Sequence, residues 1–140
     1  MKEVLFIMKL VILSNGNLAL SLQQAMQNYF SEPDIKAIGF HYPDHTTARQ
    51  ELRAYLKTSL TRNPDEDFLL LCDCYGSTAF NETALLCRKL RLEEHSLILC
   101  GVNLPMVFKL YGLKDSADLA LCRSIYDSEN SAGICLYPAS

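Results

Sequence analysis

The segment FLLLCDCYGSTAFN, residues 68–81, decides the fold of this chain. It begins with an apolar run of strand length, which is typical of a parallel strand covered by helices on both faces. The small and hydroxyl residues that follow favour the start of a helix. Polar residues just beyond such a strand lie where open α/β sheets bind ligands. Asp73 is therefore a candidate for chemistry, and Gly76, Ser77 and Thr78 are candidates for holding an anion.

Apolar runs alternate with helical patterns along the rest of the chain. The predicted strands are residues 10–13 (from Val4 at the earliest), 35–40, 68–72, 96–100 and a short last strand at 133–137. The predicted helices are 18–29, one that carries Leu52 to Leu60, 79–90, one that begins near Pro105 with Asn103 as its cap, and one from 114 or 115 to 126. This alternating order predicts one α/β domain over residues 1–140, a three-layer sandwich around a mainly parallel sheet.

Length and charge exclude several classes of protein. The chain has 140 residues and a formal net charge of −3, with no basic block, so nucleic-acid binding has no electrostatic basis here. No apolar stretch is long enough to span a bilayer. The hydrophobic start is interrupted by Lys9 and lacks a cleavage site, so we interpret it as strand rather than signal peptide. Met8 stands just before the first strand and is an alternative start of translation.

Six cysteines are present, and we expect them to be reduced thiols. Several lie in apolar runs, where cysteine behaves as a small hydrophobic residue, and the predicted location is cytoplasmic. Cys72 and Cys74 flank Asp73, and strand alternation predicts that both point away from it, against a helix. They have no partner pair at zinc-site spacing, and the chain has no glycine-rich nucleotide motif, so we expect no metal and no cofactor.

Polar residues follow every predicted parallel strand and should meet at one edge of the sheet. They are Ser14, Asn15, Gly16, His41, His45, Asp73, Gly76, Ser77, Thr78 and Asn103. His95 precedes the fourth strand and belongs to the opposite edge. Each of the loop residues also has a structural interpretation: Asp73 or Thr78 as a helix cap, Asn15 as a turn residue before Gly16, and the histidines as solvated side chains.

Three segments resemble a known family, the EIIA component of the mannose-type bacterial phosphotransferase system. They are VILSNGNLA (11–19), FLLLCDCYGSTAFNETA (68–84) and LILCGVNLPMVFKL (97–110), and their order covers nearly the whole domain. The resemblance implies a cytoplasmic homodimer that exchanges a last, antiparallel edge strand near residues 133–137. It also implies a carrier whose histidine takes a phosphoryl group from HPr and passes it to a IIB component.

The resemblance places Asn15 at the phosphoacceptor histidine, Asp73 at the carboxylate that hydrogen-bonds this histidine, and Thr78 at the phosphate-binding hydroxyl. Ser77 stands where the family has its second glycine, and Ala79 where it has proline. A carboxamide nitrogen is delocalised into its carbonyl and is not a nucleophile comparable to imidazole. The side-chain amide of Asn15 remains able to donate a hydrogen bond to Asp73.

The leading hypothesis is therefore an EIIA-like protein that has lost phosphoryl transfer and acts as a regulatory or scaffold partner of HPr-like and IIB-like components. The alternative is an active phosphocarrier, which uses His41 or His45, or in which Asn15 replaces a natural histidine by engineering. A sensor that binds small anions is a third hypothesis.

Overall fold

The computed structural model describes residues 8–126. Within them, strands and helices alternate until the last two helices: β1 (Met8–Asn15), α1 (Leu18–Met26), β2 (Ile35–Phe40), α2 (Thr46–Arg62), β3 (Asp67–Cys72), α3 (Thr78–Lys89), β4 (Ser96–Cys100), α4 (Leu104–Leu113) and α5 (Leu119–Tyr126).

The four strands form one sheet in the order β2-β1-β3-β4, and every neighbouring pair is parallel. Leu10 pairs with Ile35 on one side and with Leu69 on the other, and Leu69 pairs with Leu97. The predicted α/β fold with a parallel four-stranded sheet is thus confirmed. Because β1 and β3 are the central strands, the loops that follow them lie side by side.

Alternate residues of the central strands bury opposite faces of the sheet. Leu10 and Ile12 of β1 pack in a cluster with side chains of α1, α4 and α5. Val11 and Leu13 pack in a second cluster with α2 and α3. All four are fully buried, and each such burial contributes about 1.5–3 kcal/mol relative to an exposed side chain. Helices therefore cover both faces, which makes the three layers.

The bounds of α1 and α5 differ most from the expectation. α1 ends at Met26, and a turn with Tyr29 N–H bonded to the Met26 carbonyl replaces the expected last turn. α5 begins at Leu119 rather than at 114 or 115, because Asp118 Oδ1 caps it by accepting from Leu121 N–H at 2.8 Å. The expected strand at 133–137 and a start of β1 at Val4 lie outside the described residues.

No helix within residues 8–126 is long and apolar enough to cross a membrane.

Candidate functional site

The loop after β1 is shaped by Ser14, which is fully buried at the end of the strand. Its hydroxyl accepts a hydrogen bond from Ala19 N–H at 2.8 Å and donates one to the Gly16 carbonyl at 3.2 Å. Gly16 has φ of +72°, in the left-handed region that glycine adopts without strain. Ser14 thus ties the loop to the first turn of α1 and leaves Asn15 exposed at the sheet edge.

Asp73 is the acceptor that joins the loops after β1 and β3. Its Oδ2 accepts from the backbone N–H of Asn15 at 2.9 Å. Its Oδ1 accepts from Cys74 N–H and from the Ser77 hydroxyl, both at 2.8 Å. Ser77 is also the N-cap of α3, since its Oγ accepts from Phe80 N–H at 3.1 Å. The cap is therefore Ser77 rather than Asp73 or Thr78, and Ser77 supplies the hydroxyl that contacts the carboxylate.

The side chain of Asn15 points to α3 instead of Asp73. Its Oδ1 accepts a hydrogen bond from the backbone N–H of Ala79, in the first turn of α3, at 3.0 Å. The bond from the Asn15 side-chain amide to Asp73 that the sequence suggested is replaced by the backbone bond. The N-terminal amides of a helix favour an anion or a polar oxygen, and here a carboxamide oxygen supplies it.

The loops after β1 and β2 and the first residue of α3 line an open cavity of about 310 Å³ at this edge. Its lining consists of Asn15, Gly16, Phe40, His41, Tyr42, His45 and Thr78. The structure thus brings both candidate histidines and Thr78 next to Asn15. The Nδ1 atom of His45 is buried and has no hydrogen-bond partner.

Gly39 permits the close approach of the β1 and β2 loops. Gly16 N–H donates to the Phe40 carbonyl at 2.8 Å. A Cβ on Gly39 would lie 2.5 Å from the Gly16 carbonyl oxygen and 3.1 Å from His41 Nε2. Sequence analysis missed this residue, although a glycine inside an apolar strand is a signal of close backbone approach.

The other candidates lie apart from this cavity. Asn103 caps α4, as expected, with its Oδ1 accepting from Met106 N–H at 2.9 Å. Gly76 has φ of +83° and forms the turn before the Ser77 cap. His95 is at the amino edge of the sheet, where its Nδ1 lies 2.9 Å from Asp67 Oδ1.

The two cysteines around Asp73 differ in their surroundings. Cys72 is fully buried at the end of β3. Burial is the main cause that raises the pKa of its thiol far above the usual range, and the nearby Cys100 and Asp73 add smaller contributions. Cys74 is exposed in the loop, so the expectation that it packs against a helix is wrong, because β3 has already ended. Within residues 8–126, no group of three or more histidine, cysteine or acidic side chains is arranged to hold a metal ion.

Solved structures with the same fold include several phosphotransferase components. The mannose/sorbose specific IIA subunit from Enterococcus faecalis is 18% identical, with a TM-score of 0.73 over 96% of this chain and 98% of that one. The PTS IIA protein associated with the fucose utilization operon of Streptococcus pneumoniae is 21% identical, with a TM-score of 0.65 over 92% and 93%.

A sigma-54 interaction domain protein from Enterococcus faecalis also has the fold, at 14% identity and a TM-score of 0.61 over 84% and 85% of the two chains. No curated protein matches the sequence. The family model EIIA-man, described as the PTS system fructose IIA component, matches residues 9–124. This match covers most of the chain, which therefore belongs to the EIIA-man family of phosphotransferase IIA components.

Proposed function

We propose that this protein is a phosphorylation-deficient EIIA homologue that regulates or scaffolds other components of a sugar phosphotransferase system. The observation that carries the proposal is the position of Asn15. It stands at the carboxyl end of the central strand β1, bound through its backbone to Asp73, where the family resemblance assigns the phosphoacceptor histidine.

Phosphoryl transfer through a protein intermediate requires a nucleophile at that position. The nitrogen of a carboxamide shares its lone pair with the carbonyl, so Asn15 cannot replace imidazole. The Asn15 oxygen also occupies the Ala79 N–H, a donor that an incoming phosphoryl oxygen would otherwise find at the start of α3. Both properties of Asn15 oppose transfer at this site.

The loops around residue 15 keep a defined arrangement. Asp73, Ser77 and Ser14 hold their hydrogen bonds without any contribution from a side chain at position 15. A surface that partners recognise by its shape can therefore persist without phosphorylation. In this proposal the partners are HPr-like and IIB-like proteins, and the protein acts as a cytoplasmic homodimer. The presence of the fold in a sigma-54 interaction domain protein fits a regulatory use.

Incubation with radiolabelled phosphoenolpyruvate, Enzyme I and HPr tests the proposal directly. We expect no acid-labile phosphate on the wild-type protein, and we expect label on the Asn15→His variant. An Asn15→Gln variant is the matched control, since it changes the side chain without adding a nucleophile. Acid-labile phosphate on the wild-type protein would overturn the proposal.

The alternative function is an active phosphocarrier. One observation favours it, because His41 and His45 line the same cavity as Asn15 and Thr78. In this case the wild-type protein becomes labelled, and a His41→Gln or His45→Gln substitution abolishes the label. If Asn15 replaces a natural histidine, the label appears only with Asn15→His, and the source gene carries a histidine codon at position 15.

A further inference from the structure

Two exposed tyrosines flank the Asn15 site at the carboxyl edge of the sheet. Tyr42 follows β2, lines the cavity beside Asn15 and is 92% exposed. Tyr75 follows β3, is 83% exposed, and its ring centre lies 4.8 Å from that of Phe80. Because β1 lies between β2 and β3, one ring stands on each side of position 15. Tyrosine is enriched among the residues that carry the binding energy of protein interfaces, so these rings offer a contact surface to a partner protein.

Donors that a phosphoryl group would need between these rings are already engaged. Ala79 N–H donates to Asn15 Oδ1 at 3.0 Å, and Phe80 N–H donates to Ser77 Oγ at 3.1 Å. Both amides belong to the first turn of α3, and the first turn of a helix is where anions are ordinarily held. Thr78 adds a hydroxyl, which carries no charge. A phosphoryl oxygen would therefore have to displace the Asn15 side chain to obtain the Ala79 amide.

Carboxylates are the charged groups at this surface. Asp73 lies at its centre, where it accepts three hydrogen bonds, and Asp44 precedes His45 of the cavity wall. Arg49, in the first turn of α2, donates to both oxygens of Glu82, at 2.6 and 2.9 Å. Within residues 8–126, the cavity wall contains neither lysine nor arginine. A phosphoryl group, which is anionic at neutral pH, would thus meet carboxylates at this surface rather than a cation.

We propose that this edge binds an HPr-like carrier in its unphosphorylated form, with the carrier's histidine facing Asn15, and discriminates against the phosphorylated form. The inference rests on the proposed function, which supplies the partner. Tyr42 and Tyr75 contact the carrier in either state, whereas a phosphoryl group would face Asp73 and the engaged amides of α3. Like charges that an interface brings together weaken binding. Complex formation then reports that the carrier holds no phosphate.

NMR titrations of the full-length protein compare the two forms of the carrier. They are run at about pH 8, where an ordinary imidazole is neutral, because His41 and His45 line the site. HPr of the source organism is added alone, or with Enzyme I and phosphoenolpyruvate, which keep it phosphorylated. Enzyme I and phosphoenolpyruvate without HPr are the control. We expect HPr to shift the amide signals of residues 15 and 73–79 in a saturable way, and the Kd to be about tenfold or more higher with phospho-HPr.

Asn15→Ala tests the engaged amide, because it removes the acceptor of Ala79 N–H without adding a nucleophile. The difference between the two Kd values should shrink by about threefold or more, since a phosphoryl oxygen can then accept from this amide. Asn17→Ala is the matched control. Asn17 is exposed in the same loop, and its side chain makes no capping hydrogen bond to α1. It should keep the full difference.

The contact surface is tested with the exposed rings. Tyr42→Ser and Tyr75→Ser should each weaken the binding of both forms of HPr by about tenfold. Tyr29→Ser is the control, because Tyr29 is 57% exposed but follows the far end of α1. It should bind as the wild type does.

The outcomes separate this inference from the proposed function. Equal or tighter binding of phospho-HPr, with no label on the protein, would overturn the inference and leave the proposed function standing. A difference that Asn15→Ala leaves unchanged, or unchanged binding by both tyrosine variants, would also contradict the inference. Acid-labile phosphate on the wild-type protein, or no binding of either form of HPr, would remove the proposed function and the inference together.

Discussion

The backbone N–H of Asn15 donates a hydrogen bond to Asp73 Oδ2 over 2.9 Å, so the link between the two central loops does not depend on the side chain at position 15. A carboxylate that is held in this way keeps its place for any residue other than proline after Ser14. This explains how the site can preserve its geometry while the residue at its centre changes its chemistry.

Asp73→Asn should destabilise the protein by about 1–3 kcal/mol, because two backbone N–H groups and the Ser77 hydroxyl lose a charged acceptor. Urea denaturation followed by circular dichroism measures the change in the free energy of unfolding. Asp65→Asn is the control, since Asp65 is exposed in the turn before β3 and should change stability little. Equal effects of the two substitutions would show that Asp73 does not hold the loops together.

Gly39→Ala should destabilise the protein by about 1–3 kcal/mol, because its Cβ would lie 2.5 Å from the Gly16 carbonyl oxygen. The amide signal of Gly16 should move as its loop is displaced. Gly112→Ala is the matched substitution, because Gly112 lies in α4 with nothing within 4 Å of an added Cβ. It should be neutral or stabilise by up to about 1 kcal/mol. A stable Gly39→Ala protein with an unmoved Gly16 signal would contradict the close approach.

Alkylation at neutral pH should modify Cys74 before Cys72, Cys87 and Cys122. Cys74 is exposed and the other three are buried. Burial raises the pKa of Cys87 to about 11, which lowers its thiolate fraction about a hundredfold relative to an ordinary thiol. Peptide mapping by mass spectrometry after timed exposure to iodoacetamide measures the order. Cys74→Ser should leave the rates of the buried thiols unchanged, and early labelling of Cys72 would contradict the packing of β3.

Lowering the pH should remove the stabilisation that the ionised carboxylate of Asp44 gives the folded protein. The Thr46 backbone N–H, bonded to Asp44 Oδ1 at 2.8 Å, holds the pKa of this carboxyl below its usual range. Its stabilisation is therefore complete above the ordinary pKa and is lost as the pH falls through the lowered value. The stability difference between the wild type and Asp44→Asn should shrink from pH 5 to pH 2. Parallel stability curves would show that Thr46 does not favour the ionised form.

Much of the fold follows from the sequence. The bounds of β2 and β4 agree with the expectation, since each is an apolar run that ends at polar or turn residues. β1 extends beyond its apolar run because Ser14 and Asn15 still pair with Gly39 and Phe40 of β2. The buried Ser14 hydroxyl is satisfied by bonds to Ala19 and Gly16, which a hydropathy pattern does not register. The start of α5 also differs from the predicted one. The helical pattern begins at residue 114 or 115, but the helix begins at Leu119, where the Asp118 side chain caps it.

The atomic contacts of the candidate site are harder to predict from the sequence than the fold is. Strand order brings Asn15, His41 and Asp73 to one edge, and the sequence predicts that much. Which atoms then meet depends on bonds between distant residues, such as Ala79 N–H to Asn15 Oδ1, 64 positions apart. The choice of Ser77 over Thr78 as the cap likewise depends on the turn at Gly76, whose φ of +83° no periodicity reveals.

Because the Asn15 oxygen accepts a hydrogen bond from Ala79 N–H, the residue at position 15 determines two properties of the site at once. An imidazole there would introduce a nucleophile, and the loss of the carboxamide oxygen would release a helix amide for an incoming phosphate. Reactivity and anion affinity would thus change together with one codon. An ancestor or descendant of this chain could cross between carrier and non-carrier in one mutational step, with the neighbouring loops left as they are.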